Sequence, residues 1–126
     1  VIDHLSIAVS DLAKSAAFYE AVLAPLGYGR LVEREATVGF GKRYPELWLN
    51  HRPGMTPLGA NPGSHVCLRA DSEEAVIAFH KAAVAGGGRS DGAPGPRPAA
   101  MTSYFGAFIL DLDGNKVEAA SFPRRD

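Results

Sequence analysis

The chain has 126 residues, 46% hydrophobic and 21% charged, totals that suit one globular domain with an ordinary core and argue against a two-domain enzyme. Thirteen Lys+Arg against 14 Asp+Glu leave a formal net charge of -1 with no basic block, so the electrostatic footprint of a nucleic-acid or anionic-membrane partner is missing. The single cysteine, Cys67, excludes an intrachain disulfide framework. The opening VIDHLSIAVSD carries no basic n-region, and no apolar run nears the roughly 20 residues of a membrane span, so a cytoplasmic protein is expected.

Residues 4–9, HLSIAV, read as a strand. The next segment is a helix capped by Ser10 or Asp11, with Leu12, Ala16, Tyr19 and Leu23 at helical spacing and an end at Pro25 and Gly27. Short strands follow around 29–34, 36–41 and 46–51, which makes the first half β-α-β-β-β. Residues 52–64, with three Pro and three Gly, read as a linker. The pattern then restarts: HVCLRA is strand-like, a helix capped by Asp71 or Ser72 runs to Gly86–Gly88, and two strands flank a turn at 113–115. The Pro/Gly/Ala stretch 91–100 is expected to be an exposed loop near a site mouth.

A shift of 61 places His4 on His65, Phe18 on Phe79 and Gly27 on Gly88 without a gap. The last strands align at a shift of 70, with Trp48 on Glu118, so about nine extra residues belong to the second half, most naturally at 91–100. The matched positions are a strand start, a helix face and a helix end, and the halves are read as duplicated modules. The fold expected is α+β, with two tandem βαβββ modules forming a curved mixed sheet around a cavity in one domain, 1–126. Module 1 covers about 1–51, the linker 52–64 and module 2 about 65–123.

On such a sheet, two imidazoles and a carboxylate converging on a concave face need a reason to be polar there. A divalent metal supplies it. His4, His65 and Glu118 make three ligands and leave open positions for water and substrate. Trp48, whose indole only donates, walls the cavity instead.

The runs HLSIAVSDLAKSAAFY and DLDGNKVEA resemble the vicinal oxygen chelate superfamily, which includes glyoxalase I, bleomycin-resistance proteins, extradiol dioxygenases and fosfomycin-resistance enzymes. The resemblance covers residues 2–122 and implies His4, His65 and Glu118 as the ligands of a Fe, Mn, Ni, Co or Zn ion. It implies a metal-dependent lyase, isomerase or dioxygenase acting on a small molecule whose adjacent oxygens bind the cation. It also implies a homodimer, as single-domain members commonly form and in which some share ligands between subunits. Glyoxalase I usually has a carboxylate where Trp48 stands, which speaks against that activity. The alternative is a non-catalytic protein that sequesters a small molecule, as bleomycin-resistance proteins do.

Strand parity sends Ser6 with His4, Cys67 and Arg69 with His65, Glu46 and Asn50 with Trp48, and Tyr104 with Phe108. Trp48, Arg69, Tyr104, Phe108 and Cys67 are therefore substrate-facing candidates. Arg69 is either a clamp for a carboxylate or phosphate or a strand-end arginine in solvent. Tyr104 is either a catalytic donor to an oxyanion, acting with Glu118, or a packing residue. Cys67 is read as a buried inert thiol, Phe18 and Tyr19 as packing residues, His51 as a loop residue and His80 as a partly exposed helical one.

Overall fold

The computed structural model describes residues 1–59, 63–99 and 101–123. Its strands and helices are β1 Leu5–Val9, α1 Leu12–Leu23, β2 Gly29–Glu33, β3 Thr37–Gly41, β4 Leu47–His51, β5 Val66–Arg69, α2 Glu73–Ala85, β6 Arg89–Arg97, β7 Tyr104–Leu110 and β8 Lys116–Ser121. These are two βαβββ modules. Each makes a four-stranded mixed sheet, ordered β1-β4-β3-β2 and β5-β8-β7-β6. The pairs β1/β4 and β5/β8 are parallel and the others antiparallel.

Local chemistry accounts for the helix limits. The Asp11 carboxylate accepts from the Lys14 N–H at 3.0 Å, and Ser72 Oγ accepts from the Ala75 N–H at 3.1 Å, so Asp11 and Ser72 are the caps. A single 3-10 turn, Ala24–Leu26, follows α1 and closes on Gly27 at φ +84°. Residues 52–59, 63 and 64 carry no helix or strand.

The register bears out the duplication residue by residue. Ser6 lies opposite Trp48 in the first module and Cys67 opposite Glu118 in the second, and these pairs are related by the shifts of 61 and 70. Phe18 and Phe79 are both buried, in one core shared by both helices and the inner faces of both sheets. Burying each contributes about 1.5–3 kcal/mol. α1 packs on the first sheet, α2 on the second, and the helices pack on each other. Phe18 crosses the module boundary to lie against Gly88, where a Cβ would stand 2.9 Å from its ring and 2.7 Å from the Leu110 carbonyl.

The segment 91–100 departs from expectation. Residues 91–97 continue β6, paired to β7 as far as Arg97 opposite Tyr104, with register breaks between Ser90 and Gly92 and between Gly92 and Gly95. β6 is the outermost strand of its sheet, so the missing N–H groups of Pro94 and Pro96 are tolerated there and the extra residues are absorbed as bulged strand. Ala100 lies outside the described residues. His51, given a loop role, is the last residue of β4, where the strand expected over 46–51 also ends, and is half-buried.

A second join between the modules comes from the turn after β7. Asp111, only 6% exposed, accepts from the Tyr19 hydroxyl at 2.6 Å and from the N–H groups of Asp113 and Asn115 at 2.9 and 2.8 Å. The Asn115 amide donates to the Ala8 carbonyl at 3.0 Å, and the Ser10 N–H donates to Asp113 at 3.0 Å. Gly114 takes φ +90°, which makes the turn tight enough to place these groups. Among the described residues no helix is long and apolar enough to cross a membrane.

Candidate functional site

Since each sheet packs one face on a helix, the alternate residues of its strands face outward. On β1 and β4 these are Ser6, Trp48 and Asn50, with His4 just before the strand; on β5 and β8 they are Cys67, Arg69 and Glu118, with His65 just before the strand. β7 adds Tyr104 and Phe108 to the second face, and Phe122 continues the alternation of Lys116, Glu118 and Ala120.

The structure gathers His65, Glu118, Tyr104, Phe108 and Cys67 on that second face. His65 Nε2 is 3.0 Å from Glu118 Oε1, and the Tyr104 hydroxyl donates to Glu118 Oε2 at 2.7 Å. The Glu118 side chain is 4% exposed and that of His65 31%. Phe108 meets the His65 ring edge-on, centroids 5.2 Å apart. Tyr104 stacks on Phe122 at 5.1 Å, and the Arg69 guanidinium lies 4.7 Å above the same ring.

The proton arrangement at His65 follows from its partners. Nδ1 lies 2.9 Å from the Gly63 carbonyl, which only accepts, so Nδ1 carries the hydrogen. In a neutral imidazole Nε2 then has a lone pair aimed at a buried carboxylate oxygen. Two acceptors at 3.0 Å require a positive charge between them, either a proton or a metal ion. A neutral imidazole and a carboxylate suit a first-row divalent metal, and the partners on their outer atoms are those that orient metal ligands. These two donors fit such an ion. They fall one short of the three usual at a catalytic centre.

Hydrogen bonding to Glu118 and desolvation push the Tyr104 hydroxyl up to about 12, so it holds its proton near neutrality. Cys67 is exposed rather than buried as expected. Its thiol is nevertheless pushed up to about 12, by desolvation first and then by the charge and hydrogen bond of Glu118, which leaves it unreactive.

His4 and Trp48 stand on the other module. The His4 ring pairs with Asp3 at 2.7 Å, and Trp48 lies under the Arg34 guanidinium at 5.6 Å. No group of three or more His, Cys, Asp or Glu among the described residues is arranged to hold a metal. Within the chain His65 and Glu118 meet, and His4 lines a cavity with Cys67, the residue opposite Glu118. His80, on α2, is bonded to Ser90 Oγ at 2.7 Å, and burial lowers its pKa.

Several contributors escaped the sequence reading. Gly106 lies between Tyr104 and Phe108, and a Cβ there would be 2.9 Å from the Tyr104 ring and 3.1 Å from Glu118 Oε2. Lys116 reaches over Phe108 at 4.8 Å while paired to Asp91 at 2.9 Å. The two-residue alternation of β8 was the available signal for Lys116 and Phe122; nothing local marked Gly106.

Comparisons with known proteins agree with this architecture. The family model described as Glyoxalase/Bleomycin resistance protein/Dioxygenase superfamily matches residues 1–119. A glyoxalase/bleomycin resistance protein from Albidiferax ferrireducens is 32% identical, with a TM-score of 0.82 over 95% of this chain and 98% of that one. The fosfomycin resistance protein FosX from Listeria monocytogenes shares the fold at 17% identity and TM-score 0.68, covering 98% of this chain and 93% of its own. A point-mutant glyoxalase I from Zea mays shares it at 23% and 0.72, over 94% of this chain and 45% of the maize chain. No curated protein matches the sequence significantly.

Proposed function

The chain belongs to the Glyoxalase/Bleomycin resistance protein/Dioxygenase superfamily, and from that premise we propose a metal-dependent enzyme acting on a small molecule whose adjacent oxygens chelate a divalent ion. The ion is held by His65 and Glu118 of one copy and His4 of a second, with lyase, isomerase or dioxygenase chemistry. The observation that carries this reading is the His65 Nε2 to Glu118 Oε1 contact, with Nδ1 already committed to the Gly63 carbonyl.

A second copy is invoked because no group of three or more ligands converges among the described residues of one chain. His4 and the His65–Glu118 pair lie on the outward faces of two sheets whose inward faces share one core with the packed helices. β1 and β5 end their sheets, and within the chain they line shared cavities, one with His4, Leu5, Val66 and Cys67 on its walls, so a second copy has to bring its His4 from the open side of the face that carries His65 and Glu118.

When bound, a divalent metal would polarise the substrate oxygens and stabilise the oxyanion that forms on them. The chain's own groups do the rest. Glu118 is kept in place by Tyr104, which donates its one hydroxyl proton to the carboxylate. Phe108 and Phe122 exclude water from the two polar groups, and Cys67 stays protonated.

Chelator-treated protein titrated with Zn(II), Mn(II), Ni(II), Co(II) or anaerobic Fe(II) tests the reading by calorimetry and thermal unfolding. At least one ion is expected to bind at one per chain and, at 100-fold above Kd, to stabilise the protein by about 2.7 kcal/mol. His65→Ala and Glu118→Gln abolish that gain. No uptake of any of these ions would overturn the metal reading in favour of a metal-free binding protein.

A further inference from the structure

Three cations approach the aromatic side chains around Glu118, and they differ in what they already hold. Lys116 is neutralised by Asp91. The Arg97 guanidinium donates to the carbonyls of Ala93 and Pro96. Arg69 has no ion pair with any described residue, yet its position is defined, because its guanidinium is stacked on Phe122. Phe122 in turn stacks on Tyr104, the residue bonded to Glu118.

Arg69 forms one wall of an open cavity of about 870 Å³ whose other walls include Met101, Thr102, Phe122 and Asp71. The lining is mixed. Phe122 and Met101 offer apolar surface, Thr102 a hydroxyl, and Arg69 an outward fork of donors matched to a planar oxyanion. Arg69 and Asp71 on one lining cancel each other's charge, so a dianionic phosphate would leave more uncompensated charge there than a single carboxylate does.

We propose that Arg69 is a specificity-determining residue that recognises a monocarboxylate, so that the ligand of this face is a carboxylic acid with an aromatic or apolar body. The acid group lies against Arg69, and the body lies between Met101 and the edge of Phe122 within the same cavity. The proposal rests on the reading above only in placing the ligand on this face. It requires no metal for the acid end to bind.

Benzoate and its neutral isostere benzamide, titrated into chelator-treated full-length protein in buffer free of phosphate and carboxylates, provide the test by calorimetry or NMR. Benzoate is expected to bind at least roughly tenfold more tightly than benzamide. Arg69→Gln brings benzoate to the benzamide level and Arg69→Lys keeps part of the difference, with unchanged thermal unfolding showing that the exposed position is not structural. Equal affinities for the two probes, no binding of benzoate, or an unaltered benzoate affinity in Arg69→Gln would overturn it. Inorganic phosphate competing as well as benzoate would overturn the choice of a monocarboxylate. Zinc uptake by the same samples reads the metal site separately: discrimination without uptake leaves Arg69 standing and removes the metal, and uptake without discrimination does the reverse.

Discussion

At the scale of single residues, the Glu118 carboxylate depends on a glycine. Tyr104 reaches Glu118 Oε2 at 2.7 Å only because position 106 has no side chain to stand 2.9 Å from the tyrosine ring. Gly106→Ala must displace one or the other. We expect it and Tyr104→Phe each to weaken zinc affinity by roughly 10–100-fold, as loss of a ligand's orienting partner does. The double variant should cost little more than either single one, since both act through the same hydrogen bond. Calorimetry checks this, and additive losses would mean that Gly106 acts elsewhere. Glu118 and Tyr104 were legible from the closing motif and strand parity. Gly106 was not, because a glycine in a strand has many uses and only the position of the neighbouring carboxylate singles this one out.

Among elements, the turn between β7 and β8 does more than reverse the chain. Its Asp-Gly-Asn sequence was readable as a hairpin turn, but Asp111 and Asp113 serve as buried acceptors for Tyr19 and Ser10 in the opposite module. Those partners lie 92 and 103 residues away, beyond any local pattern. Tyr19→Phe should therefore cost about 1–3 kcal/mol at neutral pH, measured by urea unfolding, because it leaves a buried acceptor short of a donor. The pH dependence has a definite sign. Burial first, and then the Asp111 charge, hold the Tyr19 hydroxyl well above its ordinary value of 10.0. Its protonated form thus stabilises the fold fully below about pH 10, and that stability is lost as pH rises through the native pKa. The wild type should lose stability more steeply above pH 10 than Tyr19→Phe. Tyr28, pushed up to about 12 by burial and by Glu46, adds an equal alkaline slope to both proteins. Strand β6 was the element misread: its prolines look like loop until the sheet order puts them on an edge.

For the whole molecule, the division of the candidate ligands between two sheets sets what one copy can do alone. Both sheets turn inward onto the packed helices, so His4 and the His65–Glu118 pair look outward from different sheets. Sedimentation is expected to give a dimer. Mixing separates shared from unshared sites: His4→Ala and Glu118→Gln each lose tight metal binding, but an unfolded and refolded mixture recovers one intact site per mixed dimer. Each mixed dimer pairs the unaltered His4 of one chain with the unaltered Glu118 of the other. A site built within one chain recovers nothing, and that outcome would remove the second copy from the proposal.

The sequence by itself determined the duplicated βαβββ order, the helix caps within a residue, the two offsets that relate the modules and the family. All of these are written in spacing along the chain, where strand parity and helical period translate directly into faces. Only the tertiary structure decided that β6 is an edge strand, that the closing motif clasps two modules, and that a single chain unites two of three candidate ligands. Those depend on which surfaces meet. That choice is made by the burial of Phe18, Phe79 and their neighbours in one core, a long-range event that no local pattern records.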